Sequence, residues 1–187
     1  MGKRLFIAAD ISDEARAAAS GLIDSLRDEF PVKGVSWAKA ENLHVTIKFL
    51  GDTDVAVEGP LIANLANIAA SYQPFRLQFD KPELLGKRVI SIAVRSDTPT
   101  IFSLEMVIDT ECERLRFPRE GRRFHPHITL ARIRHPEKAK KLGRHFLQTQ
   151  IEPLGFEVRE IVLYESELGA DGSVYKVVRR FKLNRQN

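Results

Sequence analysis

The tripeptide His-x-Thr occurs twice in this chain, at His44-Val45-Thr46 and at His127-Ile128-Thr129. Five His and seven Thr scattered over 187 residues give roughly 0.2 such patterns by chance. Both copies also sit in runs that alternate apolar and polar residues, LHVTIKFL and PHITLARI. In a strand, residues i and i+2 share a face, roughly 6.5–7 Å apart. Each copy therefore presents an imidazole beside a hydroxyl. Two imidazoles are the minimum for paired acid and base catalysis near neutral pH. The chemistry that fits is in-line displacement at a phosphodiester. One imidazole takes a proton from the attacking oxygen, and the other gives one to the departing oxygen. The Thr hydroxyls donate to the phosphate oxygens where charge builds up, and β-branching limits their rotamers. Acid and base must flank the phosphorus, so the pattern asks for two facing strands.

Alternation assigns the faces. It puts His44, Thr46 and Lys48 on one side of the first motif strand and Val45, Ile47 and Phe49 on the core side. In the second it puts His127 and Thr129 opposite Ile128 and Leu130. Strict alternation would place Arg132 with the core residues, so it reaches the site only if the strand twists, ends or bulges near Ala131. His125, two residues before His127, is placed to touch substrate, whereas His135 and His145 lie in loop or helix contexts. A metal site is the other reading of paired His. It asks for a third ligand or a helical i, i+4 pair, and neither motif supplies one. No metal or other cofactor is expected.

The elements that must hold these residues follow from periodicity. Strands are expected at Arg4–Ala9, Val35–Trp37, Leu43–Leu50, Phe75–Phe79, Val89–Val94, His127–Ile133, Val158–Tyr164 and Val174–Leu183. The last two join through a turn containing Asp171-Gly172. Helices are expected at Asp13–Phe30 with Ser12 as N-cap, Asp54–Ala70, Thr100–Leu115 and Pro136–Leu147, the last with Pro at its first position. Each half offers a helix, a motif strand, a second helix and two more strands, and the two His lie 83 residues apart (127 minus 44). The expected fold is α+β and bilobal with a pseudo-twofold. Two mainly antiparallel sheets with outer helices flank a central cleft, and residues 1–187 form a single domain.

The hydrophobic fraction of 43% and charged fraction of 29% suit a soluble globular chain, and no apolar run nears the ~20 residues that span a bilayer. The apolar stretch near the start stops at Asp10, which reads as a strand rather than a secretory signal. One cysteine, Cys112, excludes an intramolecular disulfide, falls in a helical pattern as a buried thiol, and points to a reducing cytoplasm. The net charge of +4 favours a polyanionic partner. Arg114, Arg116, Arg119, Arg122 and Arg123 crowd a loop broken by Pro118 and Gly121, leading into the second motif. Of these, Arg119, Arg122 and Arg123 are candidate contacts to such a partner, and Phe49 and Phe124 are candidate stacking aromatics. No membrane contact or obligate protein partner is indicated, and a monomer is the default.

These motifs resemble those of the 2H phosphoesterases, which carry two His-x-Ser/Thr motifs in a bilobal α+β fold. Within them, the chain is similar to the RNA 2′,3′-cyclic phosphodiesterases, first named 2′-5′ RNA ligases. The matching pieces are RLFIAADIS, VSWAKAENLHVTIKFLGD, FHPHITLAR, EIVLYESEL and VYKVVRRFKL, which run nearly end to end. The resemblance implies that His44 and His127 are the catalytic pair and that Thr46, Thr129 and Arg132 bind phosphate. It implies metal-free hydrolysis of an RNA 2′,3′-cyclic phosphate to a 2′-phosphate, with 2′-5′ ligation as the reverse reaction. The family often has Arg-Pro before its second His, where this chain has His125-Pro126. A binding module without turnover and a phosphodiesterase for small cyclic nucleotides are the alternatives.

Overall fold

Alternation shapes the first strand, β1 (Lys3–Ala9), in the computed structural model, which describes residues 2–169 and 172–184. Leu5, Ile7 and Ala9 turn to the main core, while Phe6 and Ala8 turn to a smaller cluster with Val162 and Tyr164. A strand that is apolar on both faces belongs inside a sheet with both faces covered, and β1 lies between two others.

After β1 come α1 (Asp13–Glu29), β2 (Val35–Trp37), a 3₁₀ turn at Ala40–Asn42, β3 (Val45–Thr53) and α2 (Val55–Ala70). Then follow β4 (Phe75–Leu85), β5 (Val89–Arg95), α3 (Thr100–Arg114), β6 (His127–Ile133) and α4 (Lys140–Gln148). The order ends with β7 (Gly155–Val158), β8 (Glu160–Gly169) and β9 (Gly172–Lys182). Ser12 caps α1 by accepting the Ala15 N–H at 3.2 Å, as expected.

The sheet order is β7-β4-β5-β6-β3-β1-β8-β9, with β2 also beside β6. Exchanging β3 with β6, β1 with β5, β8 with β4 and β9 with β7 leaves that order unchanged, which is the pseudo-twofold. The two expected sheets join edge to edge, through β3 and β6, into one curled antiparallel sheet. The helices cross over between lobes. α1 follows β1 but packs on β6 and β7, and α3 follows β5 but packs on β3 and α2. α2 covers β9 and α4 covers β4. Their inner faces, such as Ile23 and Leu26 of α1 or Leu104 and Ile108 of α3, fill the main core.

Four expectations differ from what forms. The strand expected at Val158–Tyr164 breaks at Arg159, where the chain leaves β7 in one lobe and enters β8 in the other. Pro136 does not open a helix. It lies in a turn closed by Lys138 N–H to His135 O and Ala139 N–H to Pro136 O, and α4 starts at Lys140. β4 runs on to Leu85 because a register shift between Phe79 and Pro82 absorbs the missing proline N–H. The expected Asp171-Gly172 turn includes Asp171, which lies outside the described residues.

The fourth difference positions the site. In the β1–β3 pairing, Ile7 faces Lys48 and Ala8 faces Thr46, so Ile47 is an unpaired extra residue. This bulge reverses alternation. Lys48 turns inward, away from His44, and Phe49 turns outward to 59% exposure, opposite to the expectation for both. The same device recurs in β6. There Ser91 pairs with Thr129 and Ile90 with Ala131, leaving Leu130 extra. Ile47 and Leu130 are each the third residue after their motif His.

The inward Lys48 is held. Its ammonium donates to Asp109 Oδ1 at 2.6 Å and to Pro118 O at 2.9 Å, and the Glu120 N–H donates to the same carboxylate at 3.2 Å. Burial pushes the Asp109 carboxyl up, but Lys48 and the Glu120 N–H outweigh it and hold it below its usual range. The pair thus ties the first motif strand, α3 and the Arg-rich loop that feeds β6. Cys112, nearby on α3, is buried, and desolvation pushes its thiol up to about 12, so it is inert.

Removing one partner of this pair leaves a charge that water cannot reach. Asp109→Ala is expected to destabilise the fold by about 3 kcal/mol, the low end for a buried pair because the Asp109 side chain keeps 13% exposure. Lys48→Met combined with Asp109→Leu should recover most of that loss in urea unfolding. Equal stability of Asp109→Ala and the parent would show that the pair does not hold the loop.

Candidate active site

β3 and β6 meet at one antiparallel pair, Val45 with Ile128. That row continues as Ala9 beside Val45 and Ile92 beside Ile128, all buried toward the helices. The neighbours of Val45 and Ile128 therefore project to the other side, into the cleft. In this register His44 stands across from Thr129, and Thr46 across from His127. That register makes the two imidazoles diagonal neighbours, a relation that spans roughly 7–8 Å and somewhat less between Cβ atoms. The two motifs thus interleave, each His beside its own Thr and opposite the other.

His44 is fixed from behind. Its Nδ1–H donates to Asn42 O at 2.7 Å, leaving Nε2 as acceptor for the Thr46 hydroxyl at 3.0 Å. This tautomer follows from the carbonyl, which can only accept. Arg16 holds the turn that presents this carbonyl. Its Nη1 donates to Ala40 O at 2.8 Å and Leu43 O at 3.0 Å, and its Nη2 donates to Asp10 Oδ1 at 2.6 Å. Arg180 holds the other Asp10 oxygen at 2.9 Å and also pairs with Glu160. The Asn42 amide donates to Ser173 O at 3.0 Å, tying the turn to β9.

The His44 ring lies among aromatics, with centroids 5.0 Å from Phe6, 5.5 Å from Tyr175 and 5.9 Å from Tyr164. This desolvation pushes the imidazole down to about 4, against a smaller upward pull from the Asn42 carbonyl and Asp10. His127 repeats the arrangement on β6. Its Nδ1–H donates to His125 O at 2.8 Å, and desolvation holds it below its ordinary value. The His44 ring is therefore neutral at pH 7 in the free protein, and burial favours the neutral form of His127 as well.

A cavity of about 550 Å³ opens over the motif strands. His44, Thr46, Phe49, Thr129 and Arg132 line it, together with Trp37, Tyr175 and others. Arg132 reaches this face because of the Leu130 bulge, the break in alternation that it required. His127 is outside that lining, on the same face and across from Thr46.

The other candidates are placed as follows. The His125 Nε2–H donates to Glu83 Oε2 at 2.6 Å, and the ring stacks on His127 with centroids 6.1 Å apart. Phe49 packs beside Phe6 at 6.1 Å, on the cleft side. Phe124 is half-buried, edge-on to Phe102 at 5.9 Å, and does not line the cavity. Arg119 pairs with Glu113 at 2.7 Å, away from the motifs. Arg122 and Arg123 are exposed in the loop before β6 and do not line the cavity either. Sequence reasoning missed Arg16, Asp10, Tyr164 and Tyr175. No spacing marks Arg16, whose partners are the backbone carbonyls of Ala40 and Leu43 and the Asp10 carboxylate. Among the described residues, no group of three or more His, Cys, Asp or Glu converges where a metal ion could sit, and no helix is long and apolar enough to cross a membrane.

Comparison with known proteins agrees with this fold. The family model of the 2′-5′ RNA ligase superfamily matches residues 12–170. The RNA 2′,3′-cyclic phosphodiesterase of Methanothermobacter thermautotrophicus is 31% identical over 194 residues, covering 98% of this chain and 100% of that one. That of Methanocaldococcus jannaschii is 29% identical over 183 residues, covering 95% and 99%. The crystal structure of TT0787 of Thermus thermophilus superposes with a TM-score of 0.79 at 26% identity, covering 96% and 97%. Escherichia coli LigT in its apo form gives 0.76 at 26% identity, covering 98% and 99%. With sequence and fold agreeing over nearly its whole length, this chain belongs to the 2′-5′ RNA ligase superfamily.

Proposed function

We propose that the chain hydrolyses the 2′,3′-cyclic phosphate at an RNA end to a 2′-phosphate, using His44 and His127 as an acid–base pair. One observation carries this reading. Two imidazoles with Nδ1 tied to backbone carbonyls stand diagonally across a single strand contact, each with a Thr hydroxyl alongside. Curated relatives that match nearly the full chain carry the name of this activity.

In the proposed step, His127 Nε2 takes a proton from water as its oxygen bonds to phosphorus. The P–O3′ bond breaks, and protonated His44 Nε2 gives its proton to O3′. Thr46, Thr129 and Arg132 donate to the phosphate oxygens. Phe49 offers the base an exposed ring on the same face. The pseudo-twofold makes the exchanged assignment of the two His the alternative for this step. With a 5′-hydroxyl in place of water, the same groups run the reverse ligation. Water at ~55 M outcompetes a dilute RNA end unless binding raises its effective concentration, so hydrolysis dominates.

An oligonucleotide with a 2′,3′-cyclic phosphate, incubated in chelator, should yield a 2′-phosphate. Intact substrate, or turnover only after metal is added back, would reject the reading. His44→Ala and His127→Ala should each lower kcat by two or more decades with the fold kept. Wild-type turnover by either variant would reject the pair.

The electrostatics predict a pH profile. Productive free enzyme carries one proton on the pair. Burial lowers His44, to about 4, and also lowers His127, so the singly protonated pair carries its proton mainly on His127. The minor share with the proton on His44 keeps a constant ratio to it, and both thin tenfold per pH unit above the range where the pair titrates. kcat/KM should therefore fall above pH ~6.5, whereas kcat should hold to higher pH because the bound anion favours the imidazolium. NMR titration of the free protein should show His44 staying neutral until the pH nears 4. A kcat/KM that climbs steadily through pH 8 would contradict both.

A further inference from the structure

The reaction centre needs one cation for one phosphate, and Arg132 supplies it. The cavity holds two more. Arg134 is the first residue past β6, two after Arg132 with the buried Ile133 between them, and it turns to the same side as Arg132. Lys39 comes from the segment after β2, whose Ser36 lies across from Arg132. All three basic residues line the same cavity as His44 and Thr46.

These cations are not spent on internal partners. Among the described residues, no carboxylate lies within 4.0 Å of Lys39, Arg132 or Arg134. Elsewhere on the surface Arg95, Arg114, Arg119, Arg159 and Arg180 each have one. Like charges lining one cavity repel unless an anion lies between them. The backbone under Arg134 is also held. Its N–H donates to Gly34 O at 2.8 Å, and its carbonyl accepts from Arg88 Nη1 at 3.4 Å. Gly34 sits at φ +85, which a side chain would strain.

One strand step separates Arg132 from Arg134, roughly 6.5–7 Å, about the spacing of adjacent phosphates on an extended nucleic acid strand. We infer that Arg134 and Lys39 form a subsite for a second phosphate, the phosphodiester joining the cyclic-phosphate nucleotide to the rest of its chain. The inference rests on the reading of the cleft as an RNA-end phosphodiesterase. It narrows the substrate class to chain ends with at least one internal phosphodiester, ahead of lone nucleoside cyclic phosphates.

Direct binding tests it without turnover. The probes are a dinucleotide with a 3′-terminal phosphate and the matching nucleoside 3′-monophosphate, titrated by calorimetry into the wild-type protein and into Lys39→Ala/Arg134→Ala. Wild type should bind the dinucleotide about tenfold more tightly. Its log affinity should fall more steeply with log salt, by roughly 0.7 for the added phosphate contact. The double variant should lose most of that preference, and Arg134→Lys should keep part of it. A preference missing in wild type, or unchanged in the double variant, overturns the subsite even where cyclic-phosphate hydrolysis is found. A preference that the variant abolishes, in a protein that hydrolyses nothing, supports the subsite and sinks the reaction.

Discussion

The cleft depends on one contact between two strands. β3 and β6 meet at Val45 and Ile128, and this pair sets the register of both motifs at once. A slip by one residue would turn every motif side chain to the opposite face. Two features protect the register. Val45 and Ile128 are buried within a continuous apolar row from Ala9 to Ile92, so a slip would bury polar groups there. The crossing-over of α1 and α3 also braces each lobe with a helix that follows a strand of the other. Neither half can hide its apolar strand faces without the other, so the contact between them is enforced by the whole core.

Much of this was legible in the sequence. The two motif strands, the flanking helices and the halved organisation follow from periodicity, because the buried rows are long and regular. The bulges were not. An extra residue in a strand leaves no compositional mark when Ile47 and Leu130 are as apolar as their neighbours, and simple alternation then misassigns everything after it. That is why Lys48 and Phe49 exchange faces relative to the pattern. Arg132 gave a clue only because a cation on a core face is too costly to leave unexplained. The supports of His44 were hidden for another reason. Arg16, held by Asp10, acts through the backbone carbonyls of a turn, and backbone partners are not written in side-chain spacing.

The surroundings of His44 show why such support is needed. Phe6, Tyr164 and Tyr175 strip water from the ring and favour its neutral form. A neutral imidazole in water exchanges between two tautomers, but here the Asn42 carbonyl selects one and aims Nε2 at the cleft. His125 O does the same for His127. Desolvation that disfavours charge on the ring also strengthens the attraction between an imidazolium and an anion beside it. An anionic ligand therefore completes the electrostatics of the pair.

The pseudo-twofold is geometric and not chemical. Five residues after each motif His, the matching bulges expose Phe49 on one strand and Arg132 on the other. Between bulge and exposed residue stand Lys48, buried against Asp109, and Ala131, packed in the core beside Trp37. The first strand thus spends its cation inside, anchoring the loop that feeds the second, while the second presents its cations to the cavity. An identical backbone device yields an apolar, aromatic wall on one side and a cationic wall on the other. A ligand with a flat ring at one end and negative charge at the other fits between those walls in one orientation. Two matching His alone would have left that orientation free, so in the proposed reaction the direction is set by what the two bulges expose.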